Sequence, residues 1–340
     1  MSTITIPTSV TSGTMSTTTV SPLHDDDIPF WFKHLLPVFI IVIGAVGNSL
    51  AIAVLSKKRY RRISTCYYML ALAYFDNFLM VLFLVRWLNR LPGSPIAHNT
   101  AFCIGYFFSI RMGFCMAAWT LVLITFDRFV SIRFPLRSRS WCTVDRARLS
   151  LFLVAIIHVI GHLPYFWRYA DEKATTFAGR CPYDLSHEFV RAFTVTRMVL
   201  LDRLVPWLAV LTFTVGLTFE LCRNTDKESE DELGIVSKDK AIPKRVTAMS
   251  LIAAWAFFVL TFPTSVYEGL ITFSKEAHVS VSDWLYELFV YLLYFNSAIN
   301  FYLYLGVAKK FRADVKLMLS CKKKEPKMEG LGVNSSSVKL

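Results

Sequence analysis

Residues 113–129 read GFCMAAWTLVLITFDRF: an uncharged apolar run from Gly113 to Phe126, then Asp127-Arg128-Phe129. An arginine at the mouth of a membrane helix is costly to leave unpaired, so a chain that keeps one there uses it. The stretch reads as the end of a spanning helix built to receive something at that end. Cys103 stands 25 residues before Arg128, and the run that begins near residue 101 continues to Phe126 with Arg111 its one charge. Crossing a hydrocarbon core of about 30 Å takes about 20 helical residues, and this run exceeds that.

Working outward, comparable runs recur at about 32–55, 67–88, 149–169, 198–222, 246–273 and 284–305, which with 101–126 makes seven. Composition agrees, with 54% hydrophobic and 18% charged residues, against about 25% charged in a soluble domain. Inside lipid only a helix satisfies its backbone polar groups within one segment. The prediction is an all-α, seven-transmembrane-helix bundle over 32–305. Before it lies a disordered Ser/Thr-rich tail, 1–31. After it, 306–340 forms an amphipathic helix and a cytoplasmic tail.

The net charge of +12 invites a nucleic-acid reading, which its distribution excludes. Four segments on alternate connections hold 26 of the 37 Lys and Arg: 57–62, 128–148, 223–245 and 309–340. Excess basic charge marks the cytoplasmic side. The N-terminus is therefore expected outside and the C-terminus inside, in a multi-pass protein of the plasma membrane. Residues 1–22 carry 13 Ser or Thr and neither a basic nor an apolar signal region, so the first span is expected to do the targeting. Asp25-Asp26-Asp27 closes the tail, as solvated linker or as a greeting for a basic ligand.

This polarity sorts the cysteines. Cys103 and Cys181 fall on the oxidising side, where disulfides persist. A bridge between them would pin the loop after the fourth span over the bundle, worth about 2–4 kcal/mol. Cys66, Cys142, Cys222 and Cys321 fall at or near the reducing side. Cys115, in mid-span, reads as packing.

Further landmarks stand in order and at matching depth: Gly47-Asn48, Leu70-Ala71-Leu72-Ala73 with Asp76, Cys103, Asp127-Arg128-Phe129, Pro206, Pro263, and Asn296, Asn300 and Tyr304. On these the chain resembles the rhodopsin-like (class A) G-protein-coupled receptors, from about residue 32 to 321, in a divergent branch of the neuropeptide-receptor kind. Several positions depart from that family. The helix-seven proline is absent from Asn300-Phe301-Tyr302-Leu303-Tyr304. Thr261 replaces the tryptophan before Pro263, His158 the mid-span-four tryptophan and Thr214 the span-five tyrosine. Pro243-Lys244-Arg245 offers no acidic partner for Arg128.

The resemblance implies a receptor that carries binding of an extracellular ligand to a cytoplasmic heterotrimeric G protein. It needs no cofactor and is not an enzyme. Asp127, Arg128, Asn300 and Tyr304 would form the coupling switch, and Asn48, Asp76, Asn296, Ser297 and Asn300 an interior polar network. In this family such a network holds a sodium ion; here Ala117 replaces the helix-three hydroxyl, and a hydrated hydrogen-bond network is the other reading. Ile110 stands where amine receptors carry an aspartate, which excludes an aminergic ligand. Tyr291 and Tyr294 stand in the outer half of span seven, which has no lysine for a retinal Schiff base.

Ligand-pocket candidates are Arg86, Arg111, Arg197, Asp202, Arg203, Tyr267, Glu268, Glu287 and Tyr291. Their mixed charge suits a short peptide, and they could equally pair with one another. A non-peptide chemosensory or lipid ligand is the alternative. Val307–Ser320 places Val307, Phe311, Val315 and Leu319 at helical spacing among lysines and arginines, the pattern of a helix on the inner leaflet. Cys321 at its end is a palmitoylation candidate, and Ser335-Ser336-Ser337 a phosphorylated recruitment site for an arrestin-like partner.

Two other classes were weighed. His158 and His162, four apart, have metal-ligand spacing and raise a seven-helix zinc hydrolase, but no third ligand is evident in the sequence and they read as packing. A transporter or channel would show paired repeats, and none is seen.

Overall fold

A computed structural model describes residues 29–91, 100–164, 192–193, 195–230, 241–273 and 283–320, and none of these residues forms a strand. The helices are α1 (Leu36–Leu55), α2 (Ser64–Leu88), α3 (Thr100–Arg133), α4 (Pro135–Trp141), α5 (Val144–His162), α6 (Val205–Glu230), α7 (Ala241–Phe273), α8 (Asp283–Val307) and α9 (Lys309–Leu319). Two segments are wound more widely, with π geometry: Trp31–Leu35 leads into α1, and Val195–Leu204 into α6.

The chain is a multi-pass membrane protein. Six described stretches are long and apolar enough to cross a membrane: Trp31–Leu55, Ser64–Leu88, Ile104–Arg133, Leu200–Arg223, Val246–Tyr267 and Trp284–Val307. α5 is less apolar because its first turns carry Asp145, Arg146 and Arg148. The sequence run assigned to this span extends to 169, beyond the described residues. α4, a short helix opened by Pro135, lies between α3 and α5 and was not foreseen.

Packing makes a closed bundle. α1 contacts α2 and α8, α2 contacts α3, α5 and α8, α6 contacts α7, and α7 contacts α8. α3 is central, touching α2, α4, α5, α6 and α7. Helices hydrophobic all round are buried or face lipid. Val42 and Val46 of α1, Phe152 and Ile160 of α5, Val215 and Phe219 of α6, and Trp255, Val259 and Phe262 of α7 are exposed on the bundle surface. Inside, Phe83 stacks on Tyr294 at 3.9 Å between ring centroids, flanked by Phe114 and Tyr291.

α9 is fastened to the bundle. Phe311 and Val315 are buried, and the Phe311 ring meets Phe301 and Tyr304 of α8. Arg312 Nη1 donates to the Leu305 and Gly306 carbonyls at 2.8 and 2.6 Å, satisfying the end of α8. Tyr60 donates its hydroxyl to Asp314 at 2.6 Å. Two of the four apolar residues of the amphipathic pattern thus seat on the bundle, while Leu319 is exposed.

Candidate functional site

Three polar centres are spaced along the bundle. At one end α3 presents Asp127 and Arg128, 5% and 6% exposed. Arg128 Nη2 donates to Asp127 Oδ2 at 2.9 Å and to Ser131 Oγ at 3.2 Å. Two hydroxyls from the start of α2 complete the carboxylate's shell: Ser64 donates at 2.7 Å, and Thr65 also donates. The switch candidates therefore stand closed, with Asp127 tying α2 to α3. Burial is the first cause that raises the thiol pKa of nearby Cys142 above its usual value, keeping it protonated. Tyr304 is buried, and among the described residues neither its hydroxyl nor Arg128 Nε has a hydrogen-bond partner. Buried polar groups without partners are costly, so this end has two groups left to satisfy.

A second acid–base bridge at this end was missed in the sequence. Glu220 of α6 forms ion pairs with Arg133 of α3 at 3.1 Å and with Arg223 at 2.7 Å. The missing acid near the start of the sixth span thus has a counterpart on α6, though it holds Arg133 and not Arg128.

The middle centre is Asp76, 1% exposed, which accepts from Asn300 Nδ2 at 2.8 Å. Asn48 Nδ2 donates to the Ser297 carbonyl at 3.1 Å, tying α1 to α8. A cavity begins here. Its walls include Asp76, Asn296, Ser297, Thr261, Asp202 and Arg203, so the interior network and the α6 side share one space.

At the far end, Glu287 of α8 accepts from Arg86 Nη2 of α2 at 2.8 Å and from Arg90, just past the end of α2, and Arg90 reaches the Tyr291 hydroxyl at 3.3 Å. Arg86, Glu287 and Tyr291 of the pocket candidates are therefore brought together, with Arg90 added. Tyr267 packs against Tyr286 and Phe289. Arg111 is half-buried on α3. The side chain of Glu268 lies outside the described residues, as do those of Cys103 and Cys181, and Cys321 and Ser335–Ser337.

Arg197 and Asp202 do not join that mouth. They pair with each other, Nε to Oδ1 at 3.3 Å, and face α5. There His162 Nε2 lies 3.0 Å from Asp202 Oδ2, and Cys115 Sγ lies 2.9 Å from His158 Nδ1. Two readings of the sequence are corrected here. The histidines do meet candidate ligands on other elements, Cys115 and Asp202, and Cys115 makes polar contacts instead of serving as packing alone. The cause is winding. Residues five apart lie about 140° apart around an α-helix. With i→i+5 bonding, the wider π turn brings them to about 50°, so Arg197 and Asp202 share a face.

The seven-transmembrane receptor (rhodopsin family) model matches residues 47–304. The chain belongs to that family. The receptor is also similar to the thyrotropin-releasing hormone receptor of Mus musculus, 23% identical over 318 residues, covering 85% of this chain and 79% of that one. It is 24% identical over 300 residues to an FMRFamide peptide receptor of Caenorhabditis elegans, covering 82% and 67%. It is 25% identical over 288 residues to galanin receptor 2a of Danio rerio, covering 83% and 76%. The matched span runs from Gly47-Asn48 to Tyr304, so all three polar centres fall inside it.

Proposed function

We propose that this receptor binds a short extracellular peptide and passes the event to a cytoplasmic heterotrimeric G protein, acting as a signal transducer of the plasma membrane and not as an enzyme. The observation that carries the reading is the buried Asp127–Arg128 pair held by Ser64 and Thr65. A charged pair so enclosed is a latch: withdrawing α2 from α3 unfastens the carboxylate and frees the guanidinium. An arginine fork then suits the carbonyls at a partner's helix C-terminus, which carry partial negative charge. A peptide ligand is supported by the mixed charges of Arg86, Arg90 and Glu287 beside Tyr291, and by the relative named as a peptide receptor.

The basic connections support the inside-facing assignment of the Arg128 end. With it go an outer Cys103–Cys181 bridge, acylation of Cys321 beside anionic lipid, and recruitment of an arrestin-like partner by the phosphorylated tail. The test is a peptide-library screen on cells with a promiscuous G protein. Arg128→Ala is expected to abolish ligand-stimulated nucleotide exchange at near-normal surface expression. Full coupling in that variant would remove the role assigned to Arg128.

A further inference from the structure

The cluster between α3, α5 and Val195–Leu204 is not used by the signalling reading. It holds Cys115, His158, His162, Arg197 and Asp202, all buried or nearly so. His162 Nδ1 lies 2.7 Å from the His158 carbonyl oxygen. A carbonyl only accepts, so Nδ1 is its donor, and the ring's other nitrogen, Nε2, stands 3.0 Å from Asp202 Oδ2. Fixing one ring nitrogen on a backbone carbonyl is how a ligating histidine is oriented. On the other carboxylate oxygen, Asp202 Oδ1 lies 3.6 Å from Cys115 Sγ and 3.7 Å from His158 Nδ1. Cys115 Sγ is 2.9 Å from His158 Nδ1 and 3.5 Å from Nε2.

A tetrahedral zinc ion with bonds of about 2.0–2.3 Å holds its donors about 3.3–3.6 Å apart. One thiol, one carboxylate and two imidazoles are zinc donor types; ligand atoms of Cys115, His158 and Asp202 lie within 4.8 Å of one another, and His162 Nε2 stands 3.0 Å from the second Asp202 oxygen. A cation is also already there. Arg197 Nη2 lies 2.6 Å from His158 Nδ1, and its Nε 3.3 Å from Asp202 Oδ1. Arginine only donates, so His158 turns a lone pair toward it. Gly161 leaves the room: a Cβ at that position would stand 2.6 Å from Arg197 Cζ.

We propose that Cys115, His158, His162 and Asp202 form a zinc-class transition-metal site, in which Arg197 is the resident cation that the metal replaces. Asp202 lines the interior cavity, which is the route of entry. On uptake the Cys115 S–H bond breaks, the sulfur pair goes to the metal and one proton leaves to solvent. Affinity therefore rises with pH. The ion would clamp α3, α5 and the lead-in to α6.

The test uses the full chain in lipid nanodiscs with cobalt(II) as the probe and zinc as its competitor. Arg197→Gln is expected to take up one cobalt per chain with a thiolate-to-cobalt charge-transfer band, displaced by zinc. The unsubstituted chain should give the same band with affinity weaker by about 10–100-fold, the range by which groups flanking a metal site change its affinity. Adding Cys115→Ser to Arg197→Gln should erase the band. Gly161→Ala crowds the guanidinium and leaves every donor in place, so it should tighten uptake in the same direction. Absence of cobalt uptake by Arg197→Gln, or an unchanged band after Cys115→Ser, overturns the site. Should Arg197→Gln not fold, unchanged uptake by Gly161→Ala overturns it. No readout uses the ligand or a G protein, so its failure is distinct from failure of the receptor reading.

Discussion

Asp127 is held by three donors from two helices, and each bond can be removed separately. A hydrogen bond to a charged acceptor is worth about 1.5–3 kcal/mol. Thr65→Val and Ser64→Ala are each expected to lower the thermal midpoint of the purified receptor, with a larger loss when combined. Asp76 makes a different prediction. Its Oδ2 is taken by the Asn300 amide at 2.8 Å, and Ala117 supplies no helix-three oxygen to the cavity wall. Sodium prefers an oxygen-rich shell, as hard cations do, and with Ala117 on α3 that helix adds no hydroxyl to it. Agonist affinity is expected to stay level when sodium replaces choline at fixed ionic strength; a sodium-dependent fall would put the ion at Asp76. Both carboxylates were legible in the sequence, because a charge in an apolar run demands a partner. The partners were only partly legible: Asn300 came with the resemblance, whereas Ser64 and Thr65 lie 63 and 62 residues from Asp127 and nothing in their spacing announces them.

At the scale of elements, α9 and the α3–α6 bridge carry the next expectations. Phe311 is 1% exposed against Phe301 and Tyr304. Truncating a fully buried phenylalanine costs about 3–5 kcal/mol, so Phe311→Ala should detach α9 and lower the thermal midpoint sharply. Burial, then the bond to Asp314, raises the Tyr60 hydroxyl pKa above its ordinary value. Because the folded value is the higher one, this tether's contribution is intact below about pH 10, the unfolded tyrosine value, and declines above it. Glu220→Gln weakens the hold of α6 on Arg133 and is expected to raise ligand-independent nucleotide exchange, measured at matched expression. The spans themselves were readable from long apolar runs with few charges. The π winding of Val195–Leu204 was not, since apolar periodicity assumes α geometry. That departure misplaced Arg197 and Asp202 toward the outer mouth and hid Asp202 as a partner of His158 and His162, while Cys115, on α3, is 43 residues from His158 in sequence.

For the whole molecule, the proposed orientation rests on the basic segments. An epitope tag at the N-terminus is expected to be reached by antibody on intact cells, and one at the C-terminus only after permeabilisation; the reverse result would invert the polarity and remove the proposed coupling end. The outer surface also supplies something practical. Trp255 projects from α7 among Val259 and Phe262 and is 53% exposed, whereas the indole nitrogens of Trp119 and Trp207 are shut inside. Trp31, Trp141 and Trp284 are exposed as well, so the emission that brominated acyl chains quench in the receptor but that is missing from Trp255→Phe belongs to α7, and any rotation of α7 during signalling would register as a change in its brightness without a dye attached.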